Sequence, residues 1–236
     1  MNYAWNFGDL LEYLPLWWRG LTTTLFLSAS SIVLGSLLAL ALFVFKKSKY
    51  RLLRLLATSY IDTFRALPVF VLLSLLFFVA PIVIGLRLSA WQCCVIGFSM
   101  NLAPFAAECI RAGIESIPAV QYESAKVLGM THQDIFRYII APQAVQRIIP
   151  PLLGEYITTI KLTSLAGVIG VEEIWNIGGQ IVSRTSLTIE ARIVAALLYI
   201  AIILPLIWWL NKLENTHTLR GSIGYYDPNT PHVHSG

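Results

Sequence analysis

Charge is scarce in this sequence, cysteine scarcer still, and the common catalytic signatures are missing. Charged residues make up 13% of the 236, against roughly 25% in a soluble domain. With a mean hydropathy of +0.68, that scarcity excludes a disordered or collagen-like chain. The three cysteines, Cys93, Cys94 and Cys109, lie in or at the end of one apolar stretch. An odd number without ligand spacing excludes a disulfide framework and a metal site, and leaves them as buried packing residues. No glycine-rich run leads into Lys-Ser or Lys-Thr, so the chain offers no P-loop for ATP. His-Glu-x-x-His, Gly-x-Ser-x-Gly and Gly-x-Gly-x-x-Gly are absent as well. Enzymatic chemistry and a resident cofactor are therefore not expected. Transport, channel formation and membrane scaffolding remain.

What is present is apolar sequence in long runs. Four stretches carry no charge: Gly20–Phe45, Ala66–Leu86, Leu88–Ala107 and Ile193–Asn211. Each is long enough to cross ~30 Å of hydrocarbon as a helix. A fifth, Ile148–Val171, is interrupted by Glu155 and Lys161. It still counts as a span, because a charge can face a bundle interior or a wet cavity. Runs of this length without alternation exclude a β-barrel. The expected fold is an all-α membrane protein with five transmembrane helices near 20–45, 62–86, 88–110, 146–170 and 192–211. One transmembrane domain covers 1–214, and a polar tail covers 215–236. His232 and His234, two residues apart near its end, are too few to make a metal site.

The cations assign sides. Lys46, Lys47, Lys49, Arg51 and Arg54 follow the first run, so that loop is cytoplasmic and the N-terminus lies outside. Alternation then places 12 cations inside and 4 outside, with Lys161 within the membrane. The expected topology is N-out and C-in. The net charge of +4 is thus a membrane pattern, and no nucleic-acid partner is expected. Trp17–Trp18 and Trp208–Trp209 fall near span ends, where interfacial indoles belong.

The 117–142 loop is too polar to cross a membrane and well punctuated. Ser116 is placed to cap a helix with Pro118 in its first turn. Gly129 is a helix stop with access to positive φ. Thr131 caps a second helix, with Asp134 three residues on, and Pro142 ends or kinks it. The expectation is helix, glycine elbow, helix, either as an ordinary interfacial loop or as a docking element. Within the spans, Glu108 and Arg111 stand at i and i+3 and form a structural ion pair. Glu155 and Lys161, six apart on a helix, point about 120° away from each other and must find separate partners. Asn101 and Gln92 are neutral groups able to hydrogen-bond between helices.

At the loop the sequence resembles the permease subunits of binding-protein-dependent ABC importers. Those carry Glu-Ala-Ala, three residues, Gly, nine residues, then Ile-x-Leu-Pro. Here Glu123-Ser124-Ala125 leads to Gly129 and on to Ile139-Ile140-Ala141-Pro142 with the spacing intact. Ser124 and Ala141 depart from the consensus. Gly20–Leu25, Phe64–Pro68, Glu108–Ile114 and Lys161–Ala166 look like the polar amino acid (histidine, glutamine or arginine type) branch. There Leu162 stands where an acidic residue is common, and Gly154 where an Asn is. The resemblance implies a multi-pass subunit of the bacterial inner membrane that forms the path for a polar amino acid by alternating access. Its partners would be ATP-binding cassette subunits holding ATP and Mg, an extracytoplasmic binding protein, a second permease of the same or a homologous chain, and membrane lipid. Glu123, Ser124, Ala125, Gly129, Ile139 and Pro142 would couple to the ATPase. Glu155, Lys161, Thr163 and Ser164 are the candidate substrate path. A channel or scaffold subunit without an ATPase is the alternative.

Overall fold

The computed structural model describes residues 5–222, with side chains as far as 214, and every regular element among them is helical. A 3-10 turn, Gly8–Tyr13, leads into α1, Leu14–Lys46. Then follow α2, Arg51–Ala66, and α3, Val69–Val83. After an extended link come α4, Ala90–Glu115, and α5, Ala119–Val127. The last three are α6, His132–Ile169, α7, Ile174–Thr185, and α8, Thr188–Ser222. Helices α1, α4, α6 and α8 are each long and apolar enough to cross a membrane, and α2 with α3, bent by 104° at the break between them, is together long and apolar enough to count as a fifth candidate.

The bundle is centred on α1 and α4, which run side by side in the same direction. Leu27 packs with Cys93, Cys94 and Phe98 toward one end, and Ala39 and Leu42 with Leu102, Ala103 and Ala106 toward the other. The approach is close because Gly35 has no side chain: a Cβ there would lie 2.9 Å from Leu102 Cδ2 and 3.1 Å from the Ser99 carbonyl. Small residues at such a seam replace a hydrophobic driving force that lipid does not supply. Helix α7 seals one end of the bundle with Leu10, Trp17, Ala191 and Ala195. Helix α8 meets α6 through Ile157, Ile160 and Ile203.

The breaks have local causes. Leu67 is extended ahead of Pro68, as expected of a residue before proline, and there α2 gives way to α3. Ser89 opens α4 with a complete capping box: its hydroxyl accepts from Gln92 N, and Gln92 Oε1 accepts from Ser89 N at 2.9 Å. Gln92 is thus a cap rather than an interhelical bridge. One reading of the 117–142 loop is corrected: Ser116 ends α4, its hydroxyl donating to the Gly113 carbonyl, and Pro118 is the N-cap of α5. Another is narrowed: of ending or kinking the second helix, Pro142 does not end it. A π turn at Ile135–Ile140 precedes it, and the helix continues into the span; the wider turn accommodates the missing N–H and the ring. Of the expected tail, 215–222 continue α8, and 223–236, with His232 and His234, lie outside the described residues.

Candidate functional site

The loop closes with a Schellman motif. Gly129 has φ +78°, its N–H donates to the Lys126 carbonyl at 3.0 Å, and Met130 N donates to the Ala125 carbonyl at 3.2 Å. Thr131 then caps α6, accepting from Asp134 N. Of the sequence-chosen residues, Ala125 is buried beneath α5, Ile139 is half-buried, and Glu123, Ser124, Gly129 and Pro142 are exposed. Val127 and Leu128, at 87% and 81% exposed, crown the elbow. Gln143 Nε2 donates to Gln121 Oε1 at 2.6 Å and Tyr122 stacks on His132, so α5 is strapped to α6. The result is a braced knob at one end of the bundle, apolar at its tip.

Beside it, Glu108 and Arg111 form more than the expected pair. Glu108 accepts from Lys46 of α1 at 2.6 Å and from Arg111 Nε at 2.9 Å. Arg111 also donates to Glu115, and Lys47 reaches Glu115 at 2.8 Å. Five residues of alternating charge thus tie α1 to α4 at the end that carries the knob.

Glu155 stands between two cavities of about 400 Å³ each. The one nearer the knob is lined by Arg65, Glu108 and Arg147. The other is lined by Pro68, Asn101, Phe105, Thr158 and Thr159. Arg65 and Glu155 both line the first of these cavities, and the Arg65 guanidinium lies 5.7 Å from the Phe105 ring centroid. A carboxylate and a guanidinium therefore line the same hollow within the bundle. Arg65 was not among the sequence-chosen residues. Its signal was its place three residues before the proline break, which turns α2 toward α4 and α6.

Lys161, Thr163 and Ser164 are elsewhere. Lys161 and Ser164 line a separate cavity of about 350 Å³ with Trp175 and Tyr199. Thr163 is fully buried, donating to the Ile160 carbonyl at 2.7 Å and lying 3.3 Å from the Tyr199 hydroxyl. Close by sits Glu173, which the sequence reading passed over. It is wholly buried and accepts from Trp175 N at 2.7 Å, Asn176 N at 2.7 Å and Tyr199 Oη at 2.8 Å. Burial pushes its carboxyl above the ordinary carboxylate range, opposed by those hydrogen bonds and by Arg192. It anchors α7 to α8. Among the described residues no group of three or more His, Cys, Asp or Glu side chains is placed to hold a metal.

Residues 31–216 match the binding-protein-dependent transport system inner membrane component family. The chain belongs to that family. The permease is 35% identical over 201 residues to the probable amino-acid ABC transporter permease protein YckA of Bacillus subtilis, covering 85% of this chain and 88% of that one. It is 35% identical over 204 residues to the L-cystine transport system permease protein TcyB of the same organism, covering 86% and 83%. Among solved structures it matches an amino acid ABC transporter crystallised with histidines, with TM-score 0.84 and 32% identity over 91% of this chain and all of that one. The inward-facing MetNI methionine ABC transporter shares the fold, with TM-score 0.65 at 18% identity, covering 86% and 98%. These relatives are transporter permeases, and nothing in them supports the channel or scaffold alternative. The chain is a multi-pass permease subunit of an ABC importer.

Proposed function

We propose that this permease carries a polar amino acid inward and that Glu155 and Arg65 hold its zwitterionic head. An amino acid presents an ammonium and a carboxylate on one carbon. One hollow presents the complementary pair, and Asn101, Thr158 and Thr159 line the neighbouring hollow that shares Glu155. That juxtaposition carries the proposal, and the amino-acid permeases among the relatives support the substrate class. Lys161 and Ser164, which line a separate cavity, serve the outer part of the route, and the buried Thr163 braces them from behind through Ile160 and Tyr199. The knob of Glu123–Pro142 docks an ATP-binding cassette subunit, which holds ATP and Mg, because this chain has no nucleotide motif of its own. A second permease, the same or a homologous chain, completes the path, and a binding protein delivers substrate from outside. The knob and the cations of 46–54 share one end of the bundle, which supports a bacterial inner-membrane topology with that end cytoplasmic.

The test is ATP-driven uptake of labelled polar amino acids by vesicles containing the assembled transporter. A hydrogen bond to a charged group is worth ~1.5–3 kcal/mol, so Glu155→Gln and Arg65→Gln should each weaken half-saturation on the order of 10- to 100-fold by that energy. Unchanged half-saturation in both variants would remove the pair from the substrate site.

A further inference from the structure

The corner between α1 and α2 holds positive charge that no side chain in the described molecule neutralises. Lys46 and Lys47 are paired with Glu108 and Glu115. Lys49, Arg51 and Arg54 follow within eight residues, and among the described residues no carboxylate forms a salt bridge with any of them. Arg54 Nη1 donates to the Ser48 carbonyl at 3.0 Å and the Lys49 carbonyl at 3.3 Å. Those bonds close the four-residue turn and fix the guanidinium on its surface. Lys49 Nζ sits 5.2 Å from the Tyr50 ring centroid. Asp62, the one acid on α2, is eight residues past Arg54, ~12 Å along the axis.

The same helix carries an exposed apolar strip. Ala57 and Ile61 are buried against α1 and α4. Leu52, Leu55 and Leu56 turn the other way and are 66%, 60% and 56% exposed. At 100° per residue the leucines occupy one sector and Arg51 and Arg54 the adjoining one. Val44 and Phe45, in the last turn of the membrane-spanning α1, are exposed as well. Cations therefore sit where a span ends and leucines point toward hydrocarbon, which is the anatomy of an interfacial helix on a charged leaflet.

We propose that this corner binds an anionic phospholipid, its headgroup against Lys49, Arg51 and Arg54 and its acyl chains along Leu52, Leu55 and Leu56. A soluble acidic partner would match the cations but leave the leucine strip in water. A zwitterionic lipid carries its own ammonium beside the phosphate and gains less from three unpaired cations. The bound lipid would hold the α1–α2 corner at the membrane surface and so fix the height of the Lys46–Glu108 ladder beside the knob.

The experiment reconstitutes the full-length permease in bilayers of phosphatidylcholine and phosphatidylglycerol in equal parts. It then counts the lipids retained by native mass spectrometry after extraction. Wild type should retain phosphatidylglycerol in preference to phosphatidylcholine. Lys49→Gln/Arg51→Gln/Arg54→Gln should retain the two in the bulk ratio. A control removing three cations elsewhere, Arg87→Gln/Lys126→Gln/Arg184→Gln, should keep the wild-type preference. Leu52→Ser/Leu55→Ser/Leu56→Ser should also lose it, which separates a lipid from free phosphate. If a triple variant fails to insert, Arg51→Gln alone reads a smaller loss in the same direction. Equal retention in wild type and in the cation variants, an equal loss in the control, or retained preference in the leucine variant overturns the proposal.

Discussion

Arg147 on α6 donates to both the carbonyl and the hydroxyl oxygen of Ser116 at the end of α4, 31 residues earlier in the chain. The ends of α4 and α6 that flank the proposed coupling segment are thereby fastened to each other. Arg147→Met cuts this tie without touching the exposed face of the knob. The expected result is an assembled transporter whose ATP hydrolysis persists while transport per ATP falls several-fold. ATPase and uptake assays on the same vesicles check it. An unchanged ratio returns Arg147 to the cavity lining.

Gly129 supplies a second prediction. Its φ of +78° is unfavourable for any residue with a side chain and worst for a β-branched one. Such strain costs ~1–3 kcal/mol, enough to unseat the Schellman closure between α5 and α6. Gly129→Val should insert normally yet lose ATPase pull-down and uptake. Gly129→Asn, which tolerates left-handed backbone better, should retain more of both. Wild-type behaviour of the valine variant would mean that the loop is not the docking element.

The helical class and the apolar segments were legible because lipid demands long uninterrupted runs, and such runs are hard to miss. The elbow at Gly129 and the break at Pro68 were legible because glycine and proline act locally. Three features were hidden. Helix α7 is short and carries two glycines, Gly178 and Gly179, and no signal in the sequence singled it out; burial and the Glu173 cap make it a helix. Pro142 reads as either a stop or a kink, and only the π turn ahead of it shows that α6 continues. Arg65 and Glu155 are 90 residues apart in sequence, and their shared hollow exists only through the bend between α2 and α3. Periodicity cannot report a juxtaposition of that kind.

The buried anchor is open to a stability test. Removing the Glu173 carboxylate leaves two backbone N–H groups and the Tyr199 hydroxyl without their acceptor, at ~1–3 kcal/mol for each group left unsatisfied. Glu173→Ala should lower the unfolding temperature of the detergent-solubilised protein more than Tyr199→Phe does. Glu173→Gln, which keeps an acceptor oxygen, should fall between wild type and alanine. A melting point for Glu173→Ala equal to wild type would deny the anchor.

Sidedness can be read by labelling. In a background with Cys93, Cys94 and Cys109 replaced, a cysteine at Ser48 should resist a membrane-impermeant thiol reagent in intact cells. One at Thr185, at the far end of α7, should react. Reaction of the first from outside reverses the proposed topology.

The most direct measurement of the proposed zwitterion site uses the substrate's own two charges. Equilibrium binding to the purified transporter is compared for a transported amino acid, its methyl ester and its N-acetyl derivative, in wild type, Arg65→Gln and Glu155→Gln. Wild type should reject both derivatives. Arg65→Gln should no longer distinguish the ester from the parent, while still rejecting the N-acetyl form. Glu155→Gln should show the converse. If both variants discriminate against both derivatives as wild type does, the substrate's charges are held elsewhere and the assignment of Glu155 and Arg65 is wrong.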